Sequence, residues 1–281
     1  MGRQERRAQL KKSMAEVARR GLDLTASRFE QSWAVIGAAR MLLDILRGRA
    51  PGRAANAAKA GHEFFEISLR NNPSKSPVAC RKGCAYCCHV TVTARAPEIF
   101  LIASRIRASS KAELADFLSR IRAADQRTRH MTGQERASEK IPCALLKDGA
   151  CSVYEVRPGA CRGFTSTDAD ACRRGFNGEQ AQITTPSLWI SLNAAHKQAL
   201  WGALAAAGLP CESYELHHAL RIALEVPDAE SRWLAGEDIF ADVVRATVDD
   251  PTVKASNRLI IDSIVAGALG REPPAQNMSP P

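Results

Sequence analysis

The chain has 281 residues, 45% hydrophobic and 25% charged, with a formal charge of +9. This is the composition of a soluble globular protein, and no run of about 18 apolar residues suggests a membrane span. The charge is concentrated, because residues 1–60 hold 13 Lys/Arg against 5 Asp/Glu and the rest is close to neutral. Such a basic end suits an acidic partner, whether nucleic acid or an acidic protein surface.

Residues 3–21 and 25–48 read as helices, the second carrying Phe29, Trp33, Ile36, Met41, Leu42, Ile45 and Leu46 at roughly helical spacing. Arginines and lysines interrupt the first 24 residues, so no apolar signal-peptide region is present, and Gly2 lacks the following Ser or Thr of a myristoylation motif. A cytoplasmic protein is expected. A third helix is predicted at about 54–70, ending before Asn71-Asn72-Pro73. Residues 73–95 then lose periodicity, apart from a short β-branched run Val90-Thr91-Val92-Thr93.

Helix returns at Pro97, a good first-turn residue, and runs through Ile99, Leu101, Ile102 and Ile106. Another is expected at about 111–130. From Ile141 to about Gly178 the chain is again irregular and rich in Cys, Gly and Arg. Helices are predicted at about 186–207, 213–225, 228–247 and 251–269, before a tail from Pro273 that reads as disordered. The expected class is mostly α-helical, with an irregular Cys-rich module inserted between helices. The predicted regions are a basic helical one at 1–75, the module at 76–178, a helical one at 179–272 and the tail at 273–281.

Eight of the nine cysteines fall between residues 80 and 172. In a reducing compartment this density points to metal or redox chemistry, and an odd total sits poorly with complete disulfide pairing. Cys80-Arg-Lys-Gly83-Cys84-Ala-Tyr86-Cys87-Cys88 is a C-x3-C-x2-C-C cluster. Two cysteines separated by two residues can aim both sulfurs at one ion from a tight turn. Cys143, Cys151, Cys161 and Cys172 follow at longer spacings. The candidate ligands are therefore Cys80, Cys84, Cys87, Cys88, Cys143, Cys151, Cys161 and Cys172, which requires two segments 54 residues apart to meet in space.

Adjacent Cys87 and Cys88 diverge too far to share one mononuclear ion comfortably. Eight thiolates also exceed the four that one tetrahedral zinc or one cubane uses. One site with spare cysteines and two sites both stay open, as do zinc and iron–sulfur. Four thiolates leave a zinc site at net charge −2, so Arg157 and Arg162 are candidates for compensating contacts, while Arg173 and Arg174 read as surface residues.

The two segments resemble the CxxCxxCC cysteine-cluster family of YkgJ-like proteins, described as zinc- or iron-chelating. Cys80, Cys84, Cys87 and Cys88 match its opening cluster. Pro142-Cys143-Ala-Leu-Leu looks like its Cys-Pro-Phe-Leu element with the proline moved ahead. Cys151-Ser-Val-Tyr154-Glu-Val-Arg157-Pro158-Gly-Ala-Cys161-Arg162 is similar to its Cys-x-Ile-Tyr-x-x-Arg-Pro-x-x-Cys-Arg element. The resemblance covers about residues 78–175 and implies metal chelation. Flagellin lysine methylases look similar in these elements, which makes an iron–sulfur-dependent protein-modifying enzyme the alternative reading, beside a basic nucleic-acid or acidic-protein binder.

Cys80-x3-Cys84-x-Tyr86-Cys87 also fits the radical-SAM spacing, but that chemistry rides on repeated βα units and the following residues read as helices. His62-Glu63-Phe-Phe-Glu66 lacks the second histidine of a zinc protease. His89, beside Cys88, is the best histidine ligand candidate. His196, His217 and His218 lie on predicted helices and read as packing or surface residues, and Cys211 as a small buried hydrophobe. No phosphate-binding glycine loop and no G-x-S-x-G occurs.

Overall fold

The computed structural model describes residues 16, 19–72, 78–246 and 251–271. Most of the predicted first helix, the basic stretch at 1–15 and the tail from Pro273 lie outside the described residues. Helix makes up 62% of the structure and strand 5%, a mostly α-helical fold. No helix among the described residues is long and apolar enough to cross a membrane.

Helix α1 (Arg28–Arg47) starts at a capping box, in which Ser27 and Glu30 exchange side-chain and backbone bonds. Helix α2 (Arg53–Asn71) lacks a local cap. Its first amides, Ala54 and Ala55, donate instead to Glu230 Oε1 at 2.7 and 3.2 Å. A 3-10 turn (Tyr86–His89) and strand β1 (Thr93–Arg95) lead into α3 (Ala96–Arg107), which is buried on nearly every side. Helices α4 (Lys111–Thr128) and α5 (Gly133–Ser138) follow, each opened by a Ser/Thr–Glu capping box.

The second irregular segment holds more structure than its sequence suggests. Strands β2 (Leu146–Lys147) and β3 (Ala150–Cys151) form a hairpin. Its turn is Asp148-Gly149 with φ of 51° and 74°, the positive values a two-residue hairpin turn demands. A 3-10 turn (Tyr154–Val156) and short helices α6 (Gly159–Gly163) and α7 (Ala169–Phe176) complete it.

Helix α8 (Ser187–Ala207) then runs through the core, and strand β4 (Ser213–Glu215) pairs antiparallel with β1. Helix α9 (Leu216–Glu225) begins three residues later than predicted because 213–215 are used as that strand. Helix α10 (Ala229–Leu234) stops well short of the predicted residue 247. Gly236 takes φ 95°, and Phe240 and Val243 tuck beneath the fold as irregular chain. Their apolar spacing imitates a helix, but Phe240 packs on Phe100 and Tyr214 with centroids at 5.9 and 4.8 Å. Helix α11 (Pro251–Ala268) closes the bundle against α1 and α8.

One hydrophobic cluster joins the longer helices, including Leu42, Phe64, Ile102, Leu200, Leu220 and Trp233. Where α8 meets α11, a Cβ on Gly202 would run into Ile264 Cγ2. Glycine there sets how closely the helices approach. Gly202→Val is expected to destabilise by about 1–3 kcal/mol through overpacking, lowering the melting temperature by about 2–4 °C per kcal/mol. An unchanged thermal midpoint would show that α11 shifts at no cost.

Candidate metal centre

The opening cluster lies on a loop that winds into the 3-10 turn. Gly83, at φ 94°, permits the reversal that lets the Cys84 N–H reach the Arg81 carbonyl at 3.0 Å. The second segment is fastened to this loop through the backbone, since the Cys143 N–H donates to the Cys88 carbonyl at 2.7 Å. Ser166 closes the other side. Its N–H donates to Cys80 Sγ at 3.2 Å, and its carbonyl accepts the Ala79 N–H at 2.8 Å. Cys151 ends the β2–β3 hairpin and Cys161 sits in α6.

Seven of the eight predicted ligands thereby line one cavity of about 150 Å³: Cys80, Cys84, Cys87, Cys88, Cys143, Cys151 and Cys161. Arg81, Arg157 and Arg162 share its wall with apolar Val92, Leu145, Val153 and Trp189. Cys172, on α7, stays outside the lining, although it is near enough to Cys80 to act on its thiol. Cys211 sits apart, with Sγ 3.4 Å from the Leu209 carbonyl. All nine cysteines are free thiols.

The thiols do not titrate independently. A hydrogen bond from Cys88 brings Cys87 down to about 7 against the pull of burial, and the nearby Arg157 charge helps. The donor, Cys88, is driven upward by the same bond, by burial and by neighbouring Cys87, Cys143 and Cys161. Burial lifts Cys143 to about 11 and pushes Cys151 and Cys161 upward as well. Burial also raises Cys80, with the Ser166 N–H working against it. Without a cation, ionisation is thus favoured at Cys87 and disfavoured at Cys143 and Cys161. A bound cation reverses that logic and deprotonates its ligands.

The two predicted arginines differ in use. Arg157 lies with Cζ 3.7 Å from the Tyr154 ring centroid and donates to the Tyr154 carbonyl at 2.8 Å. From there its charge acts on Cys87, Cys151 and Cys161. Arg162 pairs with Glu66 at 2.5 Å and donates to the Arg157 carbonyl at 3.1 Å and to the Glu155 carbonyl. It braces the turn between Cys151 and Cys161. His89 packs its ring on Phe176, centroids 4.8 Å apart, and is absent from the cavity wall. Arg173 and Arg174 pair with Asp170 at the surface.

Ser166 and Trp189 escaped the sequence reading. A backbone N–H carries no residue signature, and Trp189 on a periodic helix looks like any core aromatic.

Among the described residues no three cysteine sulfurs lie within 4.8 Å of one another. A single tetrahedral zinc, with Zn–S bonds of ~2.3 Å, sets its sulfurs about 3.8 Å apart. Seven thiols facing one cavity also outnumber the four that a single zinc takes.

No curated protein and no solved structure matches the chain. Residues 79–185, which contain the whole cavity rim of cysteines, match the model of the CxxCxxCC family, described as a “Putative zinc- or iron-chelating domain”.

Proposed function

We propose that the chain holds metal through the thiolates of Cys80, Cys84, Cys87, Cys88, Cys143, Cys151 and Cys161, and that the group is an iron–sulfur cluster instead of a single zinc ion. The observation that carries this reading is the spread of seven thiols around one cavity. A cluster bridges sulfurs that one ion cannot reach, and it makes adjacent Cys87 and Cys88 useful to different metal atoms. Cys172, beside Cys80, is a reserve ligand. Arg81, Arg157 and Arg162 offset the negative charge that thiolate ligation brings into a partly apolar wall. Thiols at this density need a reducing compartment, which the cytoplasm supplies. We take the module to span about residues 76–178.

Anaerobic purification, followed by iron, sulfide and zinc analysis and a visible spectrum, tests the assignment. Iron with matching sulfide and a broad visible absorption is the expected result. A colourless protein with one zinc per chain overturns the cluster while leaving thiolate ligation standing. Unchanged metal content in a Cys87→Ser, Cys143→Ser double variant overturns both.

Binding should also release protons, because Cys88, Cys143 and Cys161 are held protonated by burial and by one another. Acid therefore weakens binding, with affinity falling about tenfold per pH unit for each proton displaced. Chelator competition at two pH values one unit apart reads the number directly. A pH-independent affinity would mean that the ligating thiols are already ionised.

A further inference from the structure

Three helices bring together a second group of ligand atoms that none of the cysteine elements contains. Helix α2 supplies His62, α3 supplies Glu98 and α8 supplies His196, with relative exposures of 4%, 5% and 1%. One ligand atom from each lies within 4.8 Å of the others. His62 Nε2 is 3.5 Å from Glu98 Oε1, and the two imidazole centroids are 5.5 Å apart. Both ring nitrogens of His196 have no hydrogen-bond partner, and His62 Nε2 has only its long approach to Glu98. Buried polar atoms are nearly always paired, so these nitrogens around one carboxylate call for an occupant.

We propose that His62, Glu98 and His196 form a separate metal site for a divalent ion of the zinc or iron(II) kind. The inference does not rest on the thiolate reading. Two imidazoles and a carboxylate are a donor set that such ions favour. With bonds of ~2.1 Å, a tetrahedral ion places its ligands about 3.4 Å apart, close to the 3.5 Å between His62 and Glu98. The protonation states suit ligation too. Burial disfavours the protonated imidazole of His196, and the Gly159 N–H favours the ionised carboxylate of Glu98.

The surroundings fix the three groups in place. Glu98 Oε1 accepts the Gly159 N–H at 2.6 Å. A Cβ on Gly159 would sit 2.8 Å from His196 Cε1, so glycine leaves the space that the imidazole fills. Arg95, Arg162 and Lys197 act on the same residues, and Arg162 is paired at close range with Glu66. Two nitrogen donors beside one carboxylate disfavour magnesium and calcium, which take oxygen ligands, and suit an ion whose bonds to imidazole are strong. Because the group is buried, the ion is trapped as the helices pack and should exchange slowly.

Cobalt(II) distinguishes this site from the cysteines. Cobalt bound by thiolate shows charge-transfer absorption, whereas cobalt on imidazole and carboxylate shows only weak visible ligand-field bands. The full-length protein, produced with cobalt in the medium and then treated with a chelator under native conditions, should retain about one cobalt per chain with the second signature. Glu98→Gln, which keeps an acceptor for the Gly159 N–H, and His196→Gln should lower that retained cobalt at least tenfold, with thiolate-bound metal unchanged. Folded variants retaining as much cobalt as the parent overturn the site. If circular dichroism shows that neither variant folds, X-ray absorption of the parent decides: imidazole scattering from the retained cobalt supports the site, and no retained cobalt overturns it.

Discussion

Stripping the metal should release residues 78–91 while the helices around them hold. Hydrogen exchange is the measurement, and the expected result is local. Amides at 80–90 lose at least 100-fold in protection, whereas those of α1, α3, α8 and α9 keep theirs. Every described residue from 78 to 93 is half-buried or exposed, so side chains hold this loop only through partial contacts such as Tyr86 and His89 on Phe176. Its backbone ties are few, chiefly the bonds of Ala79 and Cys80 to Ser166 and of Cys88 to Cys143. Ligation energy must supply the rest. Structural zinc contributes roughly 10 kcal/mol in small peptides, and a third of that already shifts a local opening equilibrium more than 100-fold. The second segment behaves differently because Ile141, Ala144, Leu145 and Val153 are buried in the main core. Residues 141–153 should keep most of their protection. The double change Cys84→Ser and Cys87→Ser should reproduce the pattern with metal present. Equal protection of 80–90 in metal-loaded and stripped protein would mean that the loop is preformed and the metal an addition to it.

Arg136→Met should cost about 3–5 kcal/mol, the range for removing one partner of a buried ion pair. Arg136 is 2% exposed and meets Glu215, itself 6% exposed, at 3.2 Å. Its neighbour His217 is 3.3 Å away and accepts the Ala144 N–H at 3.1 Å. The substitution strands a carboxylate and loosens the residue next to Cys143. At about 2–4 °C per kcal/mol, the fall in melting temperature is on the order of 10 °C. The pH dependence has a defined sign. Burial already raises the Glu215 carboxyl above its ordinary value, and losing Arg136 raises it further. A group whose folded value is raised favours the fold while protonated and loses that contribution as pH rises through the folded value. The deficit of the variant relative to the parent should therefore shrink on acidification. A deficit that is constant or larger at low pH would show that packing, and not the stranded charge, causes the loss.

Apolar periodicity made the helix at 25–48 readable, and in the structure capping boxes open it at Ser27–Glu30 and open α4 at Ser110–Glu113. The same signature at Thr132–Glu135 opens α5, but six residues give periodicity too little length to register. The hairpin at 146–151 was legible in Asp148-Gly149 and was passed over among the cysteines. The helix predicted at 228–247 is overlong because the contacts of Phe240 with Phe100 and Tyr214 override helix beyond Leu234. For the thiol cavity, spacing exposed Cys80 to Cys88, and the gathering of eight cysteines between 80 and 172 joined the later ones to them. The His62, Glu98 and His196 group was invisible. Its members are far apart in the chain, each on a helix where a lone polar residue has no local pattern. Only the packing of α2, α3 and α8 makes them neighbours. Glu66, which the sequence places on the same helix face as His62, instead reaches out to Arg162.

The pairing of β1 with β4 also has a consequence for synthesis. Thr93, just past the first cysteine cluster, lies opposite Glu215, and the Leu216 N–H closes on the Val92 carbonyl at 3.0 Å. The anchor for the cysteine loop is thus translated more than a hundred residues after the loop itself. At about 5–20 residues per second, the interval is on the order of 10 s. For roughly the first half of it, Cys80, Cys84, Cys87 and Cys88 hang from the ribosome without Cys143, Cys151 or Cys161 to complete their cavity. Metal delivered in that window meets an open, half-assembled ligand set, and an oxidant meets four accessible thiols. Correct loading therefore belongs to the released chain, in a compartment that keeps the early cysteines reduced until the late strand arrives.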